Sequence, residues 1–85
     1  MDNNTILIVE DELRIRQFLR PALESEGCKV FEATTVASGL AMSGDVKPGL
    51  IILDLGLPDA DGIDFILTFR TWSDTPILVL SARNG

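Results

Sequence analysis

The stretch LIILDLGLPDADG, residues 50–62, decides the fold. Its first four residues, Leu50–Leu53, are apolar without alternation. A strand of that kind has both faces covered, as in the middle of a parallel sheet. The run ends in Asp54, and the turn-rich segment LGLPDADG follows. A carboxylate at the end of a buried strand needs partners elsewhere in the chain, because an isolated buried charge is costly.

Working outward, TILIV (Thr5–Val9) has the same two-faced apolar character and also runs into acids, Glu10, Asp11 and Glu12. From Leu13, apolar residues at Ile15, Phe18, Leu19, Ala22 and Leu23 form a helical stripe, with Gly27 as its stop. Pro21 lies inside this helix and removes the bond to the Gln17 carbonyl, which predicts a kink. CKVFEA (Cys28–Ala33) is a second, more alternating strand. Thr34 or Thr35 caps a short helix through Met42, and SGDVKPG reads as a loop. Leu50–Asp54 is the third strand. Asp61 is an N-cap for a helix that carries Ile63, Phe65, Ile66 and Phe69 and ends near Trp72. PILVLSA (Pro76–Ala82) is the fourth strand. The order β-α-β-α-β-α-β predicts one α/β layer structure with a parallel sheet and crossover helices.

The composition narrows the function. The chain has 85 residues, a net charge of −6 and a pI near 4.3. That balance argues against direct nucleic-acid binding, which needs a basic surface to displace counterions. One cysteine, Cys28, and no histidine leave neither an internal disulfide nor a zinc pattern. Cys28 reads as a packing residue at a strand start, in a reducing compartment. No segment has the length of a membrane span, and the acidic N-terminus is not a signal peptide.

In a parallel sheet the strand C-termini share one edge, and ligands bind there at the switch point. Glu10 and Asp11 follow strand one, Asp54 ends strand three and Ser81 ends strand four. If strands one and three are neighbours, three carboxylates share a crevice with a hydroxyl one strand away. Each residue alone has an ordinary structural explanation: a helix cap, a first-turn acid, a turn starter or a strand-end hydroxyl. Together they repel, and a stable fold then calls for a compensating cation. Hard oxygen donors in small number suit magnesium. A calcium loop fails. With Gly62 at its sixth position, Leu57 and Thr68 fall where aspartate and glutamate are required. There is no phosphate loop ending in Lys-Ser/Thr and no dinucleotide-binding glycine spacing. A carboxylate beside magnesium can attack phosphorus to form an aspartyl phosphate, and a hydroxyl at Ser81 can hold one phosphoryl oxygen.

The blocks ILIVEDE, LIILDLGLPDADG and PILVLSAR, in this order and spacing, resemble the receiver domain of two-component response regulators, and the OmpR/PhoB type most strongly. The resemblance covers essentially all of the chain. It implies a flavodoxin-like (CheY-like) three-layer parallel sheet, truncated here to four strands in the order 2-1-3-4. It implies Asp54 as the phosphoacceptor, with Mg2+ held by Asp11, Asp54 and the backbone carbonyl of Gly56, and with Glu10 acting near the metal through water. Ser81 would turn toward the phosphoryl group, and the small Ala82 would leave room for the donor. Gly56 and Arg83 stand where receivers tune phosphoryl lifetime. The implied partner is a sensor histidine kinase, in a cytoplasmic, transcription-regulating system with potassium-transport control as its narrower setting. The chain is then a signalling module and not an enzyme.

The departures from the family matter as well. The sequence stops after strand four, without helix four, strand five with its lysine, helix five or a DNA-binding domain. Residues 1–85 therefore read as a truncated receiver domain. Gly49 stands where an acid is expected. An apolar fourth strand at an exposed edge, beside an uncovered sheet face, predicts a homo-oligomer. The competing readings are a non-signalling remnant that binds a kinase or regulator as a decoy, and a fragment of a full-length regulator. An unrelated aspartate-based phosphotransferase would need a second aspartate where Gly56 stands.

Overall fold

The computed structural model describes residues 3–80. Its elements are β1 (Thr5–Val9), α1 (Leu13–Ser25), β2 (Lys29–Ala33), α2 (Val36–Val46), β3 (Leu50–Leu53), α3 (Gly62–Phe69) and β4 (Ile77–Val79). The four strands form one parallel sheet in the order β2-β1-β3-β4, as the resemblance to receiver domains implies. β1 lies at the centre, with Val9 opposite Ala33 on one side and Leu53 on the other.

Alternate residues of each strand build two cores. Leu7, Val9, Ile51 and Leu53 join Val36 of α2 and Phe65 and Phe69 of α3 on one face. Ile6, Ile8, Val30 and Ile52 lie on the other, under Leu19 and Leu23 of α1. Cys28 packs against this second core as a free thiol, in line with its reading as a packing residue. The apolar stripe of α1 is narrower than its sequence suggests, since Phe18 is 76% exposed. The helix continues past Pro21 to Ser25, and Gly27, with a φ of +87°, then turns the chain away.

Two helix ends differ from expectation. α2 extends through Ser43 and Gly44 to Val46, because the Ser43 hydroxyl donates to the Leu40 carbonyl within the helix. It stops at Lys47, which takes a left-handed conformation ahead of Pro48, where the residue preceding proline is barred from helical geometry. Thr35, not Thr34, caps it, in a reciprocal box with Ser38. α3 ends at Phe69, three residues before Trp72, because Arg70 donates to the Ser73 and Thr75 carbonyls and draws the chain into a turn. Asp61 caps α3 as expected, accepting from Ile63 N–H at 3.0 Å. Gly49 also has a local cause. A Cβ there would collide with the backbone oxygen of Asn3, so the expected acid does not fit.

β4 forms one edge of the sheet. Leu78 is 55% exposed and Val79 is 41% exposed, and among the described residues β4 pairs only with β3. No helix among the described residues is long and apolar enough to cross a membrane.

Candidate functional site

The acidic site is built by the register of the two central strands. The Asp54 N–H donates to the Val9 carbonyl at 3.0 Å, and the Glu10 N–H donates to the Ala33 carbonyl at 2.9 Å. These bonds continue the ladders β3-β1 and β1-β2 by one residue. Glu10 and Asp54 therefore leave adjacent strands at the same level, at the carboxyl edge of the sheet. Both are almost fully buried, at 0% and 2% exposure, while Asp11 is exposed. One carboxylate oxygen from each of Glu10, Asp11 and Asp54 lies within 4.8 Å of the others. The donor set is all hard oxygen and carries three formal negative charges, two of them buried. That chemistry fits a divalent hard cation such as magnesium.

Two loops frame the cluster. Between β1 and α1, the Glu12 N–H donates to Glu10 Oε2 at 2.9 Å, which folds the turn onto the Glu10 carboxylate. Glu12 itself precedes α1 without a side-chain cap bond. Between β3 and α3, Gly56 makes an isolated antiparallel bridge to Asp61, and the Gly62 N–H donates to the Leu55 carbonyl at 2.9 Å. This loop folds back tightly. A Cβ at Gly62 would stand 2.7 Å from Leu55 Cα and 2.8 Å from the Asp54 carbonyl oxygen. Only glycine allows the loop that follows Asp54 to close this way. Ser81, Ala82 and Arg83 lie outside the described residues.

Sequence reasoning missed three supports of the site. Asp59 reaches across to α2 and accepts from the N–H groups of Val36 at 2.8 Å and Ala37 at 3.0 Å. Those two bonds hold its carboxyl below the usual carboxylate range, and they tie the loop after Asp54 to a helix N-terminus. Arg16 donates to Glu32 Oε1 through Nε and to the Glu10 carbonyl through Nη1, both at 2.9 Å. Arg20 bridges the other oxygen of Glu32 at 2.7 Å and Glu24 at 3.1 Å. Arg20, and after it Arg16, lower the Glu32 pKa against the opposing effect of burial. The Arg20 guanidinium is raised by Glu32 and then Glu24. The third is Gly62. Arginines one and two turns into α1, facing a glutamate on the neighbouring strand, were the available signal for the network. Asp59 had no local signal, because its partners are 22 and 23 residues away in sequence.

A cleft of about 420 Å³ at the opposite, amino-terminal edge of the strands is lined by Asn3, Lys47, Pro48, Trp72 and Thr75, away from the acids.

A central parallel sheet in the order 2-1-3-4, with three acids at the carboxyl ends of its two middle strands, defines a class, and the comparisons agree with it. Residues 6–85 match the response regulator receiver domain, and the chain belongs to that family. Among curated proteins it is similar to the KDP operon transcriptional regulatory protein KdpE of Escherichia coli strain K12. The identity is 61% over 79 residues, which are 93% of this chain and 35% of that protein. KdpE of Mycobacterium tuberculosis is 42% identical over 92% of this chain and 34% of its own length. The chain thus spans about a third of the length of these regulators. Among solved structures, the chemotaxis response regulator CheY4 of Vibrio cholerae superposes with a TM-score of 0.89 at 29% identity, over 99% of this chain and 72% of that one. The chain is thus a receiver domain of the kind found in transcriptional response regulators.

Proposed function

We propose that this chain is a phosphoryl-accepting signalling module in which Asp54 takes a phosphoryl group from a sensor histidine kinase. The observation that carries this reading is the convergence of Glu10, Asp11 and Asp54 at one sheet edge. Asp11, Asp54 and the Gly56 carbonyl are the residues we assign to Mg2+, with Glu10 close by through water. Bound magnesium supplies charge neutralisation for the oxygens of the transferring group. The chain's own part is to present a buried carboxylate oxygen in a fixed position. An Asp54 carboxylate oxygen attacks phosphorus, and the phosphorus–nitrogen bond of the donor phosphohistidine breaks. The electron pair stays on the imidazole nitrogen, which takes up a proton from solvent. We assign the Ser81 hydroxyl to one phosphoryl oxygen.

Similarity to KdpE over nearly all of this chain supports a cytoplasmic, transcription-regulating setting, with control of potassium transport as its output. Residues 1–85 are the receiver module of that system. The edge at β4, with Leu78 and Val79 exposed, supports pairing with a second copy of this chain.

The test is exposure to acetyl phosphate with magnesium, read by mass spectrometry of the intact chain and its peptides. One phosphoryl group at Asp54, absent in Asp54→Ala and absent without magnesium, is the expected result. Magnesium binding with no phosphoryl uptake would contradict the reading and favour a binding module that does not signal.

A further inference from the structure

We propose that Arg16 is a positioning residue for the acidic site: by holding the Glu10 carbonyl it fixes the turn that presents Glu10 and Asp11 beside Asp54. The inference rests on the metal-assisted reading above and deepens it. Glu10 is held at both ends of its backbone. Its N–H donates to Ala33 of β2, and its carbonyl accepts from Arg16 Nη1 at 2.9 Å. The same guanidinium is oriented by Glu32 on β2 through Nε, and the Arg16 side chain is only 14% exposed. Arg16 therefore bridges the first turn of α1, the end of β1 and the neighbouring strand.

The physical need for such a bridge is plain. Three carboxylates within 4.8 Å of one another repel, and Asp11 sits at the exposed start of the turn between β1 and α1, so the position of that turn decides how the three face one another. The Glu12 N–H bonded to Glu10 Oε2 closes the turn from inside, and Arg16 closes it from outside. The guanidinium also brings a positive charge to the Glu10 carbonyl, on the backbone of the cluster. Arg20 provides the contrast. It shares Glu32 and bonds Glu24, so it belongs to the same ion-pair network, but its recorded bonds are to those two side chains.

The experiment compares Arg16→Ala, Arg16→Lys and Arg20→Ala by two readouts, Glu12 amide exchange in metal-free protein and magnesium affinity by calorimetry. Arg16→Ala is expected to speed Glu12 exchange by about tenfold, as loss of a charge-assisted hydrogen bond would. It is expected to weaken magnesium binding by about 10- to 100-fold, the usual effect of removing a group that orients a metal ligand. Arg20→Ala should leave both within about twofold, since partly exposed ion pairs contribute little. Arg16→Lys keeps the charge without the fork and should recover part of both losses. If Arg16→Ala does not fold, the lysine variant carries the comparison with Arg20→Ala. Equal effects of the changes at 16 and 20, or unchanged Glu12 exchange in the Arg16 variants, would overturn the proposal. A wild-type chain that takes up no magnesium would overturn the metal-assisted reading instead, while Glu12 exchange would still decide whether Arg16 holds the turn.

Discussion

The pair β1 and β3 and the edge strand β4 are written in the same alphabet: apart from Thr5, TILIV, LIIL and ILV are apolar and branched. They end up in different physical situations. Leu7, Ile8, Val9, Ile51 and Leu53 have no exposed surface, whereas Leu78 and Val79 are substantially open. The difference is one of neighbours. β1 is paired on both sides and sandwiched between α1 and the α2–α3 layer, while β4 is paired on one side only. A two-faced apolar strand records what the strand is suited to be covered by, and the covering itself comes from elements elsewhere. The rigidity needed to hold three acids together is therefore found at the β1–β3 pair and not at β4.

Substitutions sharpen this contrast. Leu7→Ala removes a fully buried side chain beside Val9 and is expected to cost about 3 kcal/mol in urea denaturation, within the range for large-to-small core changes. A cost below about 1 kcal/mol would mean that the centre of the sheet is not the stable part of the molecule. Gly62→Ala forces a methyl group against Leu55 Cα and the Asp54 carbonyl, and an overpacking cost of about 2 kcal/mol is expected. Because the strain falls on the residue after Asp54, phosphoryl uptake should slow in the same variant, measured under conditions where it remains folded.

Asp59 tests the link between the site loop and α2. Its carboxyl is lowered in the folded state, so the folded form binds its proton less readily than the unfolded chain. Its stabilisation is therefore fully present above the ordinary carboxylate range and is lost as pH falls through the lowered value. Asp59→Asn should melt at a lower temperature than the wild type at neutral pH, and the two curves should converge in acid. Parallel curves at every pH would show that the Val36 and Ala37 bonds do not depend on the carboxylate charge. Glu32, lowered by Arg20 and Arg16, adds to the same acid loss. The smallest effect is expected at the edge. Leu78→Ala should change stability by no more than about 1 kcal/mol in a dilute monomer, since more than half of that residue is open to solvent. A larger loss that grows with protein concentration would locate a partner on β4.

Much of the architecture was legible because it rests on periodicity and on a topological rule. Two unalternating strands, each running into acids, specify a covered parallel sheet whose ligand edge carries those acids, and the structure brings Glu10, Asp11 and Asp54 together there. What escaped was set by contacts across the fold. Ser43 and Gly44 look like loop residues until the Ser43 hydroxyl is seen satisfying a helical carbonyl. Phe18 falls on the apolar stripe of α1 yet points to solvent. Asp59 carries no local signature of its role, since it acts on backbone groups of α2 brought near by tertiary folding.

The proposed function requires the end of β1 and the end of β3 to grip one divalent ion together. Magnesium titration of the wild-type chain and of Asp11→Asn, followed by amide chemical shifts, tests this most directly. Saturable shifts that rise together at residues 10–12 and 53–56, and that are lost or strongly weakened in Asp11→Asn, are the predicted result. Shifts confined to one strand end, or an Asp11→Asn variant that titrates like the wild type, would contradict it.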